Sequence, residues 1–235
     1  MKRLSLPFVL LALLAVVAIV LGLAFPSPTV DTLCRYAPMA EAVARGNWAE
    51  AFHPRFGVGF PLLTGGIVWL TGLDGHDACV AMAMLGWALA TVPLFRIAHG
   101  VAGPTAAWFA VALFVVCPQP LFWGFPGLRE TWRMTATLAA VAALFERKEH
   151  PDIALVEMAL AIVVLVTFRC DTLFYALLAG GAFLFVDRAG WRTAVVAAVG
   201  VAAAVPGFMV THAWTGWWVP SPHFIPLLIK AGGLS

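Results

Sequence analysis

Charge is what this 235-residue chain has least of: 12 acidic and 14 basic residues, 11% charged in all, against 62% hydrophobic. Soluble domains carry about 25% charged residues. That scarcity, together with a mean hydropathy of +0.93, excludes a soluble domain of ordinary composition and points to an integral membrane protein. The basic residues form short clusters rather than a stripe and the formal charge is only +2, so the electrostatic footprint of nucleic-acid binding is missing. Zinc-type cysteine and histidine spacing, a glycine-rich nucleotide loop and a serine-hydrolase elbow are absent as well. So are internal repeats and low-complexity linkers. Cysteine is sparse. Cys34, Cys79, Cys117 and Cys170 permit three full pairings, none of which the spacing selects, and four buried free thiols fit the same sequence.

What the chain does have is long apolar runs. Met1-Lys2-Arg3 precedes a run from Leu4 to Phe25 that exceeds the ~7–15 residues of a signal-peptide core, so it reads as a retained first span with its basic end in the cytoplasm. Further runs follow at Gly57–Leu73, Ala78–Ala98, Val101–Leu121, Thr131–Phe145, Ile153–Phe168, Thr172–Val186 and Thr193–Ala213. If all of them crossed, Arg96 and His99, Arg147 and Lys148, and Arg188 and Arg192 would fall outside, against the positive-inside rule. Gly57–Leu73 is short and rich in glycine, so it is expected to lie along the interface or to dip in and out. Every basic connector then lies inside. The expected architecture is an all-α integral membrane protein of about seven transmembrane helices over residues 1–213. Its outer loops fall at Pro26–Asp77, Pro118–Glu130 and Arg169–Asp171, and residues 214–235 emerge on the outer side.

The first outer loop is the polar exception to this apolar chain. From Asp31 it reads D-T-L-C-R-Y-A-P-M-A-E-A-V-A-R-G-N-W-A-E-A-F-H-P-R-F-G-V-G-F-P. Leu33, Tyr36, Ala37, Ala40, Val43 and Ala44 fall at helical spacing, which predicts an amphipathic helix on the membrane surface with its apolar side down. Asp31 and Arg35, four apart, would share the opposite, wet face. Pro38 sits seven residues in, where it removes a backbone hydrogen bond and so kinks the helix or moves its start. On the same outer surface lie Arg129, Glu130 and Arg133, and the pair Arg169 and Asp171. Ionisable groups at the hydrocarbon edge are costly unless paired, hydrated or functional. Structural ion pairing and a shared site are both open. Trp48, Trp69, Trp123, Trp132, Trp214, Trp217 and Trp218 fall near the outer boundary as interfacial anchors, one or two of them able to stack on a sugar ring.

An N-terminal span, an acid, Arg35-Tyr36-Ala37, a stretch ending in Gly46-Asn47-Trp48, and Pro61 opening an interfacial helix together resemble the GT-C glycosyltransferases. The branch most similar in pattern contains the polyprenyl-phosphate-sugar-dependent enzymes, such as aminoarabinose transferases and protein O-mannosyltransferases. The order of motifs and the topology carry the likeness, over most of the chain. Asp31 stands four residues before Arg35 where the family has its acids three before, and Phe60 stands where some members have lysine.

The resemblance implies an inverting sugar transfer on the outer, periplasmic face of a bacterial inner membrane. A polyprenyl-phosphate-linked sugar is the donor, and a glycan, lipid or protein is the acceptor. Asp31 then becomes the candidate base for the acceptor hydroxyl. Arg35, Arg129 and Arg169 become candidates for the donor phosphate, and Tyr36, His53, Arg55 and Glu130 candidates for substrate contact. His53 and Arg55 also fit lipid head groups or loop carbonyls. Glu130 could join Asp31 around a divalent metal as in the oligosaccharyltransferase branch, but the lipid-phosphate-sugar enzymes work without one, so no cofactor is expected. Family enzymes add further helices or an outer domain, and Trp214–Ser235 reads as the start of such a portion. Two other functions fit the composition. One is a catalytically silent scaffold or subunit of a larger membrane complex. The other is a small transporter, for which Glu157, about a turn inside its span, is the arguable signature.

Overall fold

The computed structural model describes residues 5–25, 27–53, 56–168 and 190–215, and their regular structure is entirely helical. Helix α1 (Ser5–Ala24) is followed by a π-helical turn at Thr32–Tyr36 that runs directly into α2 (Ala37–Ala44). Short α3 (Trp48–Ala51) and α4 (Gly59–Thr71) complete the first loop region. Then come α5 (Gly75–Leu89), α6 (Thr91–Val116), α7 (Pro118–Gly124), α8 (Glu130–Glu146), α9 (Pro151–Phe168) and α10 (Gly190–Thr215). Among the described residues three stretches, Gly75–Val116, Pro151–Phe168 and Gly190–Trp214, are long and apolar enough to cross a membrane, while Leu13–Ala24 and Gly59–Thr71 are shorter apolar helices. The run Thr172–Val186 lies outside the described residues.

Gly75–Val116 contains two of the expected runs, and it folds back on itself. Trp87 stacks on Phe114 with ring centroids 6.0 Å apart, and Phe95 meets Trp108 edge-on at 5.0 Å. Pairs that advance on one arm and retreat on the other define an antiparallel hairpin. Its bend is Gly103, at φ 82° and ψ −179°, a conformation open to glycine because it has no Cβ. Pro104 then starts the second arm, where its missing N–H is no loss. The sequence placed this break between Ala98 and Val101, a few residues early.

The helices of the first loop do not rest on lipid in the way their spacing suggested. Tyr36, Ala37, Met39, Ala40 and Ala42 are buried, but against α4 and α5 of the same chain. Small residues on the partner helices let the backbones approach. A Cβ on Gly65 would stand 2.5 Å from the Val43 Cβ, and one on Gly75 only 2.4 Å from the Ala37 carbonyl oxygen. It is α4 that turns Leu62, Leu63, Trp69 and Leu70 outward, and at 13 residues it falls short of the ~20 a crossing needs.

Three apolar clusters hold the rest. Ala18 of α1 packs on Val80, Met84 and Trp87. An alanine-rich seam with Met158, Ile162 and Leu165 joins α8, α9 and α10. An aromatic cluster of Tyr36, Phe56, Phe60 and Phe168, with Met39, Cys79 and Met82, lies under the first loop. Charged groups collect at both ends of α8 and α9, about 24 Å apart by the rise of α8. Arg129 and Glu130 mark one end. At the other, Arg96 donates to Glu146 (2.7 Å) and to Glu157 (2.5 and 2.8 Å), and Arg192 reaches Asp152 at 3.2 Å. The basic connectors Arg96, Arg147 and Arg192 thus share one end of the bundle, opposite the first loop.

Candidate functional site

The site starts from the π-turn. A proline at position 38 has no N–H to give and would press its ring on the carbonyl four residues back. Widening the preceding turn relieves this, and the Ala37 N–H bonds to the Thr32 carbonyl five residues back. Such turns recur at functional sites. Thr32 is fully buried and anchors the turn, donating its hydroxyl to the Pro126 carbonyl in the loop before α8. The Thr32 N–H reaches the Thr29 hydroxyl at 3.3 Å. Held in this way, Asp31 and Arg35 form a direct ion pair, with 48% and 36% of their side chains exposed.

Beneath that pair lies Phe56, which the sequence reading passed over. The Arg35 guanidinium carbon is 5.0 Å from its ring centroid, and that of Arg129 is 5.7 Å from the same ring and 5.5 Å from Tyr36. All three distances are within cation–π range. Tyr36 meets Phe56 and Phe60 edge-on at 5.6 and 5.4 Å. The His53 ring is 5.2 Å from Phe56 and 5.0 Å from Trp214 at the end of α10. One phenyl ring therefore joins the π-turn, His53 of its own loop and Arg129 just before α8, and His53 carries the contact on to α10. The available signal was its place in the run His53-Pro54-Arg55-Phe56-Gly57, next to a glycine.

Arg129 is only 4% exposed. Its Nη1 donates to the Phe56 carbonyl and, at 2.9 Å, to the Phe168 carbonyl at the C-terminus of α9, where cations are favoured by the helix dipole. The Val58 N–H donates to the Thr167 carbonyl at 2.9 Å. Between these bonds Gly57 has φ +70°, and a Cβ there would lie 2.6 Å from both carbonyl oxygens. The loop thus caps α9, and Arg129 is the bolt. Its Nε stands 3.7 Å from Glu130 Oε1, while that Nε and Glu130 Oε2 are buried without a hydrogen-bond partner. Two opposite charges with unmet hydrogen-bonding capacity face each other beside the Phe56 hub.

Of the residues singled out in the sequence, the structure brings Arg35, Tyr36, His53 and Arg129 around Phe56, with Asp31 and Glu130 joined to the cluster through Arg35 and Arg129. Asp31, Arg35, His53 and Glu130 keep partial exposure. Tyr36, at 2%, and Arg129 lie underneath. Arg55 and Arg169 lie outside the described residues, as does Asp171. None of the six lines the cavity of about 580 Å³ found between α8 and α9. Among the described residues Asp74, His76 and Asp77 form a group of three ligand-type side chains whose atoms lie within 4.8 Å of one another. Their arrangement is that of a helix cap, the Asp74 carboxylate accepting the Asp77 N–H at 2.8 Å at the start of α5. Comparison of the chain with family models, with curated proteins and with solved structures finds no match.

Proposed function

We propose that this chain is a GT-C-like glycosyltransferase module that moves a sugar from a polyprenyl-phosphate carrier to an acceptor at the outer face of a bacterial inner membrane. The observation that carries the reading is the Asp31–Arg35 pair, held at the surface by the π-turn and set over the Phe56–Arg129 hub. In this reading α1, the first arm of the α5–α6 hairpin, its second arm continued by α7, then α8, α9 and α10 cross the bilayer, and the apolar run Thr172–Val186 is the seventh crossing. The Arg35 guanidinium takes the donor phosphate in its planar fork, which releases Asp31 from the ion pair. The freed carboxylate accepts the proton of the acceptor hydroxyl as that oxygen attacks the anomeric carbon, and the lipid phosphate leaves with the bonding electrons. Arg169 is assigned to the phosphate as well. Tyr36 and Arg129 act from below, holding Phe56, and Glu130, His53 and Arg55 are assigned to substrate contact.

The mutual neutralisation of Asp31 and Arg35 also favours a second reading, a catalytically silent scaffold or subunit in which the pair only locks the turn. Transfer from a radiolabelled polyprenyl-phosphate sugar in proteoliposomes separates the two. Loss of a positioned base lowers the rate about 10²–10⁴-fold, so Asp31→Asn is expected to reduce transfer on that scale with folding intact. Full transfer by a folded Asp31→Asn chain removes the enzymatic reading.

A further inference from the structure

A cavity of about 580 Å³ runs between α8 and α9, well away from the Phe56 hub. Its volume is that of a ligand pocket, which typically measures about 300–1,000 Å³. Small residues make the void. Ala136 and Ala139 of α8 and Ala161 of α9 line it, while Ile153, Val156 and Leu160 form a lip that is about 60% exposed. Trp132 also lines it, with its indole N–H already given to the Met82 carbonyl at 2.7 Å. At the opposite end stand Arg96, Glu157 and Asp152. There the Arg96 guanidinium is fully engaged by Glu146 and Glu157, whereas Asp152, paired with Arg192, is largely exposed.

We infer that this groove holds one acyl chain of a bilayer phospholipid, with its head group at the Asp152–Arg192 end and its methyl end at Trp132. The lining is charged over the part from Asp152 to Glu157 and, apart from the Thr135 hydroxyl and the Trp132 indole N–H, apolar from Leu160 to Val164; that one-ended polarity is the profile of a lipid and not of a sugar or a metal. From Ile153 to Val164 the groove is about 16 Å long by helical rise, close to one leaflet of a hydrocarbon core about 30 Å thick. The lip belongs to α9, one of the stretches apolar and long enough to cross a membrane, so the groove opens where acyl chains are the solvent. The Asp152 carboxylate at that mouth, 84% exposed, offers a counter-charge to the ammonium of a zwitterionic head group.

The test is photolabelling of the full chain in nanodiscs with phosphatidylethanolamine carrying a diazirine at a defined carbon of one acyl chain. A diazirine near the ester is expected to mark Ile153–Glu157, and one near the methyl end Trp132 and Val164. Yields should exceed those on the exposed α10 residues Val201, Val205 and Met209 by about tenfold. Ala161→Phe or Ala139→Phe, each filling the void from a different helix, should remove that excess while circular dichroism stays unchanged. Equal labelling of α9 and α10 in the wild type, a reversed depth order, crosslinks to a second protein chain in place of lipid, or full labelling of a folded filled variant would each overturn the assignment.

Discussion

At the scale of single residues, Asp31 and Arg129 sit in one cluster with opposite physics. The Asp31–Arg35 pair is half in water, where an ion pair contributes about 0–1 kcal/mol, so Asp31→Asn should leave stability nearly untouched. Arg129 is buried and holds two backbone carbonyls on different elements. Hydrogen bonds from a charged group contribute about 1.5–3 kcal/mol, and methionine at this position would keep an apolar stem while donating to neither carbonyl. Arg129→Met is therefore expected to lose about 2–3 kcal/mol in equilibrium unfolding in mixed micelles, and a loss no greater than that of Asp31→Asn would contradict the bolt. Gly57→Ala faces both a left-handed φ and two carbonyls at 2.6 Å. It should be the more damaging of two glycine substitutions. Gly103→Ala, at φ 82° and ψ −179°, meets a backbone penalty of about 1–3 kcal/mol but has nothing within 4 Å of the new Cβ.

At the scale of elements, the π-turn decides where the Asp31–Arg35 pair points. Pro38 is its cause, so Pro38→Ala should let the turn close to α-helical spacing and rotate residues 31–35 by about 100° relative to α2. Cys34, exposed and next to Arg35, reports this directly. Its rate of alkylation should change in Pro38→Ala while the unfolding midpoint is kept or raised. An unchanged rate would mean that Thr32 and Pro126, not the proline, set the turn. The amphipathic pattern of α2 was visible in the sequence. What covers its apolar face was not, because Ala37 and Ala40 fit a lipid surface as well as they fit Gly75 and Gly65, and only those partners distinguish the two.

At the scale of the whole molecule, two charged layers bracket an apolar bundle. Arg96 ties the α5–α6 hairpin to both α8 and α9 through Glu146 and Glu157. Removing one partner of such a partly buried network typically costs about 3–5 kcal/mol. Arg96→Ala is expected to approach that loss in thermal unfolding, since it leaves two carboxylates facing each other, and adding Glu157→Gln should recover part of it. No recovery would mean that the network is not electrostatically coupled. Sidedness can be read in intact cells with a membrane-impermeant maleimide. With the other cysteines replaced, Cys34 should label from outside, whereas a Lys148→Cys chain that keeps no other cysteine should label only after permeabilisation. Labelling of both from one side would place the two charged layers in the same compartment and end the outer-face reading.

Composition and hydropathy alone determined that the chain is helical and suited to a membrane, since burying so few charges and so many apolar groups leaves few other solutions. The order of runs and the basic connectors also foretold which ends of the helices gather together. The sequence located Asp31, Arg35, His53, Arg129 and Glu130 as residues of interest, because ionisable groups beside hydrocarbon stand out by their cost. Only the tertiary structure decided that Arg129 and Tyr36 lie beneath the surface, that Phe56 is their common contact, and that a cavity opens between α8 and α9. These facts depend on which helices approach each other and how closely. That is set by small residues meeting across elements far apart in the chain, a pairing no local pattern records.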